Sequence, residues 1–214
     1  VALGYDSTAK ATESVVVGDG ATSQGSANKS VVIGNAARAG SNEDGDNVMD
    51  GGSTPKFGDG TSAVAIGDSA VARGDRVIAI GNKAATYNRD AESKFSYDSM
   101  AIGTEAIVIA ADNAIALGKN AKIAKNADSS VAIGDTAVSS GKRAVALGVG
   151  ATAGGFSSLA LGDGANSTQD NTVAIGKGSK AYQTDTVAIG DNATALTTKT
   201  ISIGLNAGAG QAAD

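Results

Sequence analysis

Ser130-Val131-Ala132-Ile133-Gly134, Val145-Ala146-Leu147-Gly148, Val173-Ala174-Ile175-Gly176 and Val187-Ala188-Ile189-Gly190 are copies of one phrase, an aliphatic run closed by glycine. The phrase occurs thirteen times, with its glycine at 4, 18, 34, 67, 81, 103, 118, 134, 148, 162, 176, 190 and 204. The last five intervals are each 14 residues. A period this regular marks a repeat architecture, in which each unit covers its neighbour. The residue before each glycine is always Val, Ile or Leu, and the residue three before is Val, Ile, Leu or Met100. Two before stands Ala in ten of thirteen units, and three after stands Ala in eleven.

Alternation with period two is the signature of a strand, whose successive side chains point to opposite faces. Each unit therefore reads as two very short strands, Val-Ala-Ile before the glycine and Ala-x-Ala after it. The structural glycines (Gly67, Gly81, Gly134, Gly148, Gly162, Gly176 and Gly190 among them), often followed by Asp or Asn, supply a tight turn tolerant of positive φ. A polar, variable second turn closes the unit. Two strands and two turns in 14 residues make one coil of a parallel β-solenoid, with coils about 4.8 Å apart. The large side chains one and three before glycine are expected inside, packed on the small ones three and five after it.

That placement puts the intervening alanines outside. Ala65, Ala79, Ala101, Ala116, Ala132, Ala146, Ala160, Ala174 and Ala188 are then an apolar ladder too extensive for a soluble monomer. It is expected to pack against identical copies in a closed ring of two or three, unless Ala is merely tolerated there. The outward positions of the second strand (Thr22, Arg38, Lys122, Thr152, Asn166, Lys180, Thr194) are mixed, as on a solvated face.

Composition excludes many chemistries. The 214 residues carry 17 basic and 22 acidic side chains, a net charge of −5, with no Cys, His or Trp and seven aromatics. No disulfide framework, thiol nucleophile, Ser-His-Asp triad or His-ligated metal is possible. The acidic balance argues against nucleic acid as the main partner, and no apolar run is long enough for a membrane helix. No enzyme activity and no cofactor are expected.

The repeated Ser-Val-Ala-Ile-Gly segments, with a small residue three after glycine, resemble the head domains of trimeric autotransporter adhesins of the Yersinia type. The resemblance covers essentially the whole chain. The Asn preceding Ser in the family pattern survives only at Asn113 and Asn171, and the Ser three after glycine is mostly Ala. The resemblance implies an all-β fold, a left-handed parallel β-roll of about 14 residues per coil, and a homotrimer. It further implies a non-enzymatic adhesin exposed beyond a bacterial outer membrane, attaching to host extracellular matrix, cells or other surfaces. The membrane would be reached only through an anchor domain outside this sequence. Residues 1–214 read as one head domain of about thirteen coils, a portion of a longer protein.

Two insertions interrupt the coils, at about 41–62 and 87–98. Phe57 lies in the first; Tyr87, Arg89, Phe95 and Tyr97 lie in the second. Aromatics beside charges are the material of contact hot spots, so these five are candidate ligand-binding residues; equally, they could pack over a neighbouring subunit. The acidic stretch Asn42–Asn47 lacks the spacing of an EF-hand, and Gly148-x-Gly150-x-x-Ala153 is explained by the repeat rather than by a dinucleotide site.

Other classes fit less well. A hexapeptide-repeat acyltransferase, which Ile66-Gly67-Asp68-Ser69-Ala70 resembles locally, needs a period near 18 and a His. A calcium-loaded β-roll needs Gly-Asp turns in every nine residues, whereas Asp follows the glycine in fewer than half of these units. An ice-binding array needs a flat Thr-x-Thr face. A structural spacer of an adhesin fibre without its own ligand is the principal alternative.

Overall fold

The computed structural model describes residues 1–24, 27–40, 61–87 and 96–210. The chain forms two compact units, Val1–Ala114 and Ile115–Asp214. Both are parallel β-solenoids, of six and seven coils respectively among the described residues. In each coil a strand before the motif glycine is followed by a second strand after it, for example Val131–Ile133 and Val138–Ser139. Within each unit the first strands stack into one parallel sheet and the second strands into another.

Register makes the repeat structural. Val131, Ala132 and Ile133 pair with Val145, Ala146 and Leu147, and Val138 with Thr152. Every motif position therefore stacks on the same position of the next coil. The long insertions do not disturb this. Val31, Val32 and Ile33 pair with Val64, Ala65 and Ile66, although 33 residues separate each pair, and Ile78 pairs with Met100. Thr61–Ser62 and residues 96–98, read above as insertion, hold regular turn positions: the Ser62 N–H donates to the Asn28 carbonyl at 2.8 Å and the Asp98 N–H to the Asp75 carbonyl at 3.1 Å.

The turns depend on left-handed backbone at three places per coil. All motif glycines have φ between 122° and 141°, a region closed to other residues. A Cβ at Gly134 would also collide with the backbone carbonyl of Gly148 in the next coil. The residue two after each glycine lies in the left-handed helical region, at φ 49° to 63°, whether it is Ala36, Lys83, Thr136 or Gly150. The residue five before glycine does the same in the second turn, at 51° to 61°. Positive φ thus falls on the second residue after glycine and not on the Asp or Asn directly following it, where the sequence reading put it. A non-glycine residue in this conformation costs about 1–2 kcal/mol. Hydrogen bonds between coils offset the cost: the Thr136 N–H donates to the Lys119 carbonyl at 2.8 Å and the Arg143 N–H to the Asp128 carbonyl at 2.9 Å.

The interior of each coil is lined by four columns of small residues, at four and two before glycine and three and five after it. Ala, Ser and Thr dominate, and Val16, Val32, Val77, Val108 and Ile123 are the largest fully buried side chains. The buried hydroxyls close the second turn: Ser130 Oγ donates to the Ala127 carbonyl at 2.6 Å and Thr186 Oγ1 to the Gln183 carbonyl at 2.6 Å. Side chains also tie coil to coil at the surface. Arg76 and Asp98, in adjacent coils, form a two-pronged pair, Nε–Oδ1 2.5 Å and Nη2–Oδ2 2.7 Å.

Two outcomes follow. Gly134→Ala costs more than about 3 kcal/mol, because forbidden φ and a backbone collision combine. Gly150→Ala, at φ 63° with only Thr136 Oγ1 4.0 Å away, costs about 1 kcal/mol. Urea titrations of the two variants at one protein concentration check the contrast, and equal losses would contradict it. The Arg76 hydrogen bond holds the Asp98 carboxyl below the usual carboxylate range. A depressed folded pKa gives stability that is present above the unfolded carboxylate pKa and lost as pH falls through the folded value. Asp98→Asn, which suits the left-handed backbone equally well, therefore melts slightly below the parent at neutral pH and level with it in strong acid.

Candidate interaction surfaces

Each coil offers four surfaces: the outer faces of its two strands and its two turns. The first strand settles which side chains are outside. Ala116 and Ala146 are fully buried, whereas their neighbours Leu117 and Leu147 are 40% and 39% exposed. The same holds for the whole column: Ala65, Ala79, Ala101, Ala116, Ala132, Ala146, Ala160, Ala174 and Ala188 are all fully buried within their own chain. The alanine ladder is therefore the inner lining of the coil and cannot pack against another copy. The large residues one and three before glycine, expected inside, point outward and are half-buried or exposed. The reason is thickness. The two strands of a coil are joined by turns so tight that the space between them takes methyl and hydroxyl groups; rows of Val, Ile and Leu have room only outside.

The outer face of the first strand is consequently a ladder two aliphatic side chains wide, without a charge. In the unit Ile115–Asp214 it runs through Val131 and Ile133, Val145 and Leu147, Leu159 and Leu161, Val173 and Ile175, and Val187 and Ile189. The outer face of the second strand is mixed, with Thr152, Asn166 and Thr194 half-buried and Lys122 and Lys180 exposed.

Length variation enters at one place, the second turn. The chain leaves the coil after Gly40 and after Tyr87 and rejoins it by Thr61 and Ser96; of the two 16-residue coils, the one between Gly118 and Gly134 carries its extra pair, Lys125 and Asn126, at the same point. The glycine turn keeps one length throughout. Acidic side chains stabilise the variable turn: Asp75, Asp112 and Asp170 each accept, through Oδ1, the N–H of the residue stacked beneath in the preceding coil, from Thr61 at 3.1 Å, Tyr97 at 3.1 Å and Phe156 at 2.7 Å. All six residues stand six before a motif glycine. This column was legible only after alignment on the glycines.

Of the candidate contact residues, Phe57, Arg89 and Phe95 lie outside the described residues, as does the acidic stretch at 42–47. Tyr87 ends the strand Ala85–Tyr87 and pairs in register with Ile109. Tyr97 is half-buried in the second turn, where its carbonyl accepts the Asn113 N–H at 2.9 Å and the Ser99 hydroxyl at 2.8 Å. One contact was missed in the sequence: the Arg143 guanidinium lies over the Phe156 ring, 4.2 Å from its centre. The two are thirteen residues apart, and only stacking of consecutive second turns makes them neighbours.

Comparison with protein-family models finds a match. A family model described as "YadA head domain repeat (2 copies)" covers residues 1–21, 59–84, 96–121, 126–151, 153–179 and 181–207. Most of the chain lies in these segments, and the gaps at 22–58 and 85–95 contain both long insertions. No curated protein matches the chain. With the glycine-punctuated coil present in structure and the matching repeat spread along the sequence, the chain belongs to the YadA head family, a family of adhesin heads.

Proposed function

We propose that the chain is a non-enzymatic adhesin head that works as a homotrimer of left-handed rolls at a bacterial cell surface. It attaches multivalently to host extracellular matrix, to cells or to other surfaces. The observation that carries this reading is the uncharged ladder of Val, Ile and Leu on the first strand. Burying such a side chain contributes about 1.5–3 kcal/mol, and a continuous apolar stripe of this extent is rare on a soluble monomer. Copies arranged about an axis along the ladder cover it, and a closed ring leaves no unpaired stripe. The interior of each coil, filled by alanine and serine, has no space for a substrate, so ligands are met on turns and outer faces. Three copies per head and many heads per cell convert weak single contacts into firm attachment.

The assembly is tested by sedimentation velocity of Ile133→Glu/Ile175→Glu. The expected result is monomers with a retained β spectrum; an intact trimer contradicts the interface. Adhesion is tested by a solid-phase panel of collagens, fibronectin, laminin and whole cells. The parent protein is expected to bind at least one of these. A form lacking 41–60 and 88–95 is expected to bind about tenfold more weakly, a loss of roughly 1.4 kcal/mol. Equal binding would move the contact from the insertions to the regular surface, and binding to none would leave the spacer role as the better account.

A further inference from the structure

We propose that the second-turn edge around Lys142, Arg143 and Phe156, with Lys122 on the adjoining second strand, binds a sulfated polysaccharide. The proposal deepens the adhesin reading by naming a ligand class.

The chain carries a net charge of −5, yet Lys122, Lys125, Lys142 and Arg143 are all exposed within two consecutive coils, and Phe156 follows in the next. The second turns of those coils stack, because the Arg143 N–H bonds the Asp128 carbonyl at 2.9 Å and the Ser157 N–H the Lys142 carbonyl at 2.9 Å. Coil spacing of about 4.8 Å therefore brings Lys125, Lys142 and Arg143 along one edge, with Lys122 beside it on the outer face of the second strand. The column of Arg143 is flanked by uncharged residues, Ser129 and Ser157, both exposed. Of the nearby carboxylates, Asp128 pairs its Oδ2 with Lys142 Nζ at 3.1 Å, a contact the ligand's oxyanion must share or displace, and Asp170 Oδ1 accepts the Phe156 N–H at 2.7 Å.

Phe156 supplies the second element of the site. Its ring is 40% exposed with the Arg143 guanidinium over it at 4.2 Å. Stacking holds the guanidinium in place and keeps its fork of donors available for a bidentate oxyanion. The uncovered ring surface can take the C–H face of a sugar. A polymer that alternates strong anions with apolar pyranose faces uses both elements at once. A nucleic-acid duplex, whose bases are stacked inside, would use the charges alone, and the chain's overall negative charge opposes it.

Surface plasmon resonance of the whole protein on immobilised heparin tests the proposal. Binding is expected, and it should weaken steeply with added salt because it releases counterions. The variant Lys122→Ser/Lys142→Ser/Arg143→Asn, with Asn chosen for the left-handed backbone at 143, should lose at least tenfold in affinity and show a shallower salt slope. Phe156→Ala should weaken binding with the slope unchanged. Lys119→Ser/Lys177→Ser/Lys180→Ser removes the same charge elsewhere on that unit and should leave affinity unchanged. Circular dichroism and sedimentation confirm that each variant keeps its fold and assembly. Equal loss in the two triple variants, absence of heparin binding, or equally tight binding to duplex DNA would each overturn the proposal. Absence of heparin binding with the matrix panel still positive would overturn this inference alone and leave the adhesin reading standing.

Discussion

The structure depends on the direct stacking of each coil on an identical coil. Peptide groups of adjacent motif glycines approach so closely that a side chain at Gly134 would meet the Gly148 carbonyl. That approach fixes the register at both strands and both turns, and register turns each motif position into a column. A column that faces the interior or the apolar ladder has one environment along its length, so its residues are interchangeable and its chemistry is uniform. Most consequences of the fold follow from this: a lining of alanine, a ladder of Val, Ile and Leu, and turns held by the same carbonyl-to-amide bonds in coil after coil. Hydrophobic burial inside a single chain is modest by comparison, since each buried alanine contributes a methyl group of about 0.8 kcal/mol. The hydrogen-bonded ladders order the chain, and in the proposed assembly coverage of the outer ladder adds the burial that the interior lacks.

How much was legible in the sequence can be traced to particular positions. The period, the two short strands and the glycine turn follow from spacing and alternation alone, and all three are present in the structure. Which face is inside does not follow from alternation, because period two separates Ala132 from Val131 and Ile133 without saying which side is the core. The habit of placing large aliphatics inside gave the wrong side. A better signal was available: the columns four before, two before, three after and five after glycine are small but for Val16, Val32, Val77, Val108 and Ile123, and they must share one space. Four small columns facing one another define a thin interior, and the two large columns are left outside. The left-handed residues two after glycine were partly visible in Gly20, Asn120, Gly150, Gly164, Gly178 and Asn192, and were hidden where Lys83, Glu105 and Thr136 occupy the same conformation.

The division of labour among the surfaces comes from the same geometry. The glycine turn cannot vary, because its residues touch the next coil through backbone. At the second turn the inter-coil bonds are kept on the return side of an insertion, as from the Ser62 N–H to the Asn28 carbonyl, so chain can leave and rejoin there without shifting a strand: Val31 to Ile33 still pair with Val64 to Ile66 across the longest interval. The edge free to accept insertions is also the edge that gathers Lys142, Arg143 and Phe156 from different coils. Residues distant in sequence become neighbours there, which is how a regular solenoid acquires local chemistry.

The central claim is that alanine lines the chain and the large aliphatics face its copies. Because the protein has no cysteine, single thiols report on this without background. Ala132→Cys and Ile133→Cys, placed one residue apart, should behave oppositely. The thiol at 133 should form interchain disulfides on mild oxidation of the assembly, and the thiol at 132 should resist both oxidation and alkylation until the protein is unfolded. Rapid alkylation at 132 with a protected, uncrosslinked thiol at 133 would contradict the account.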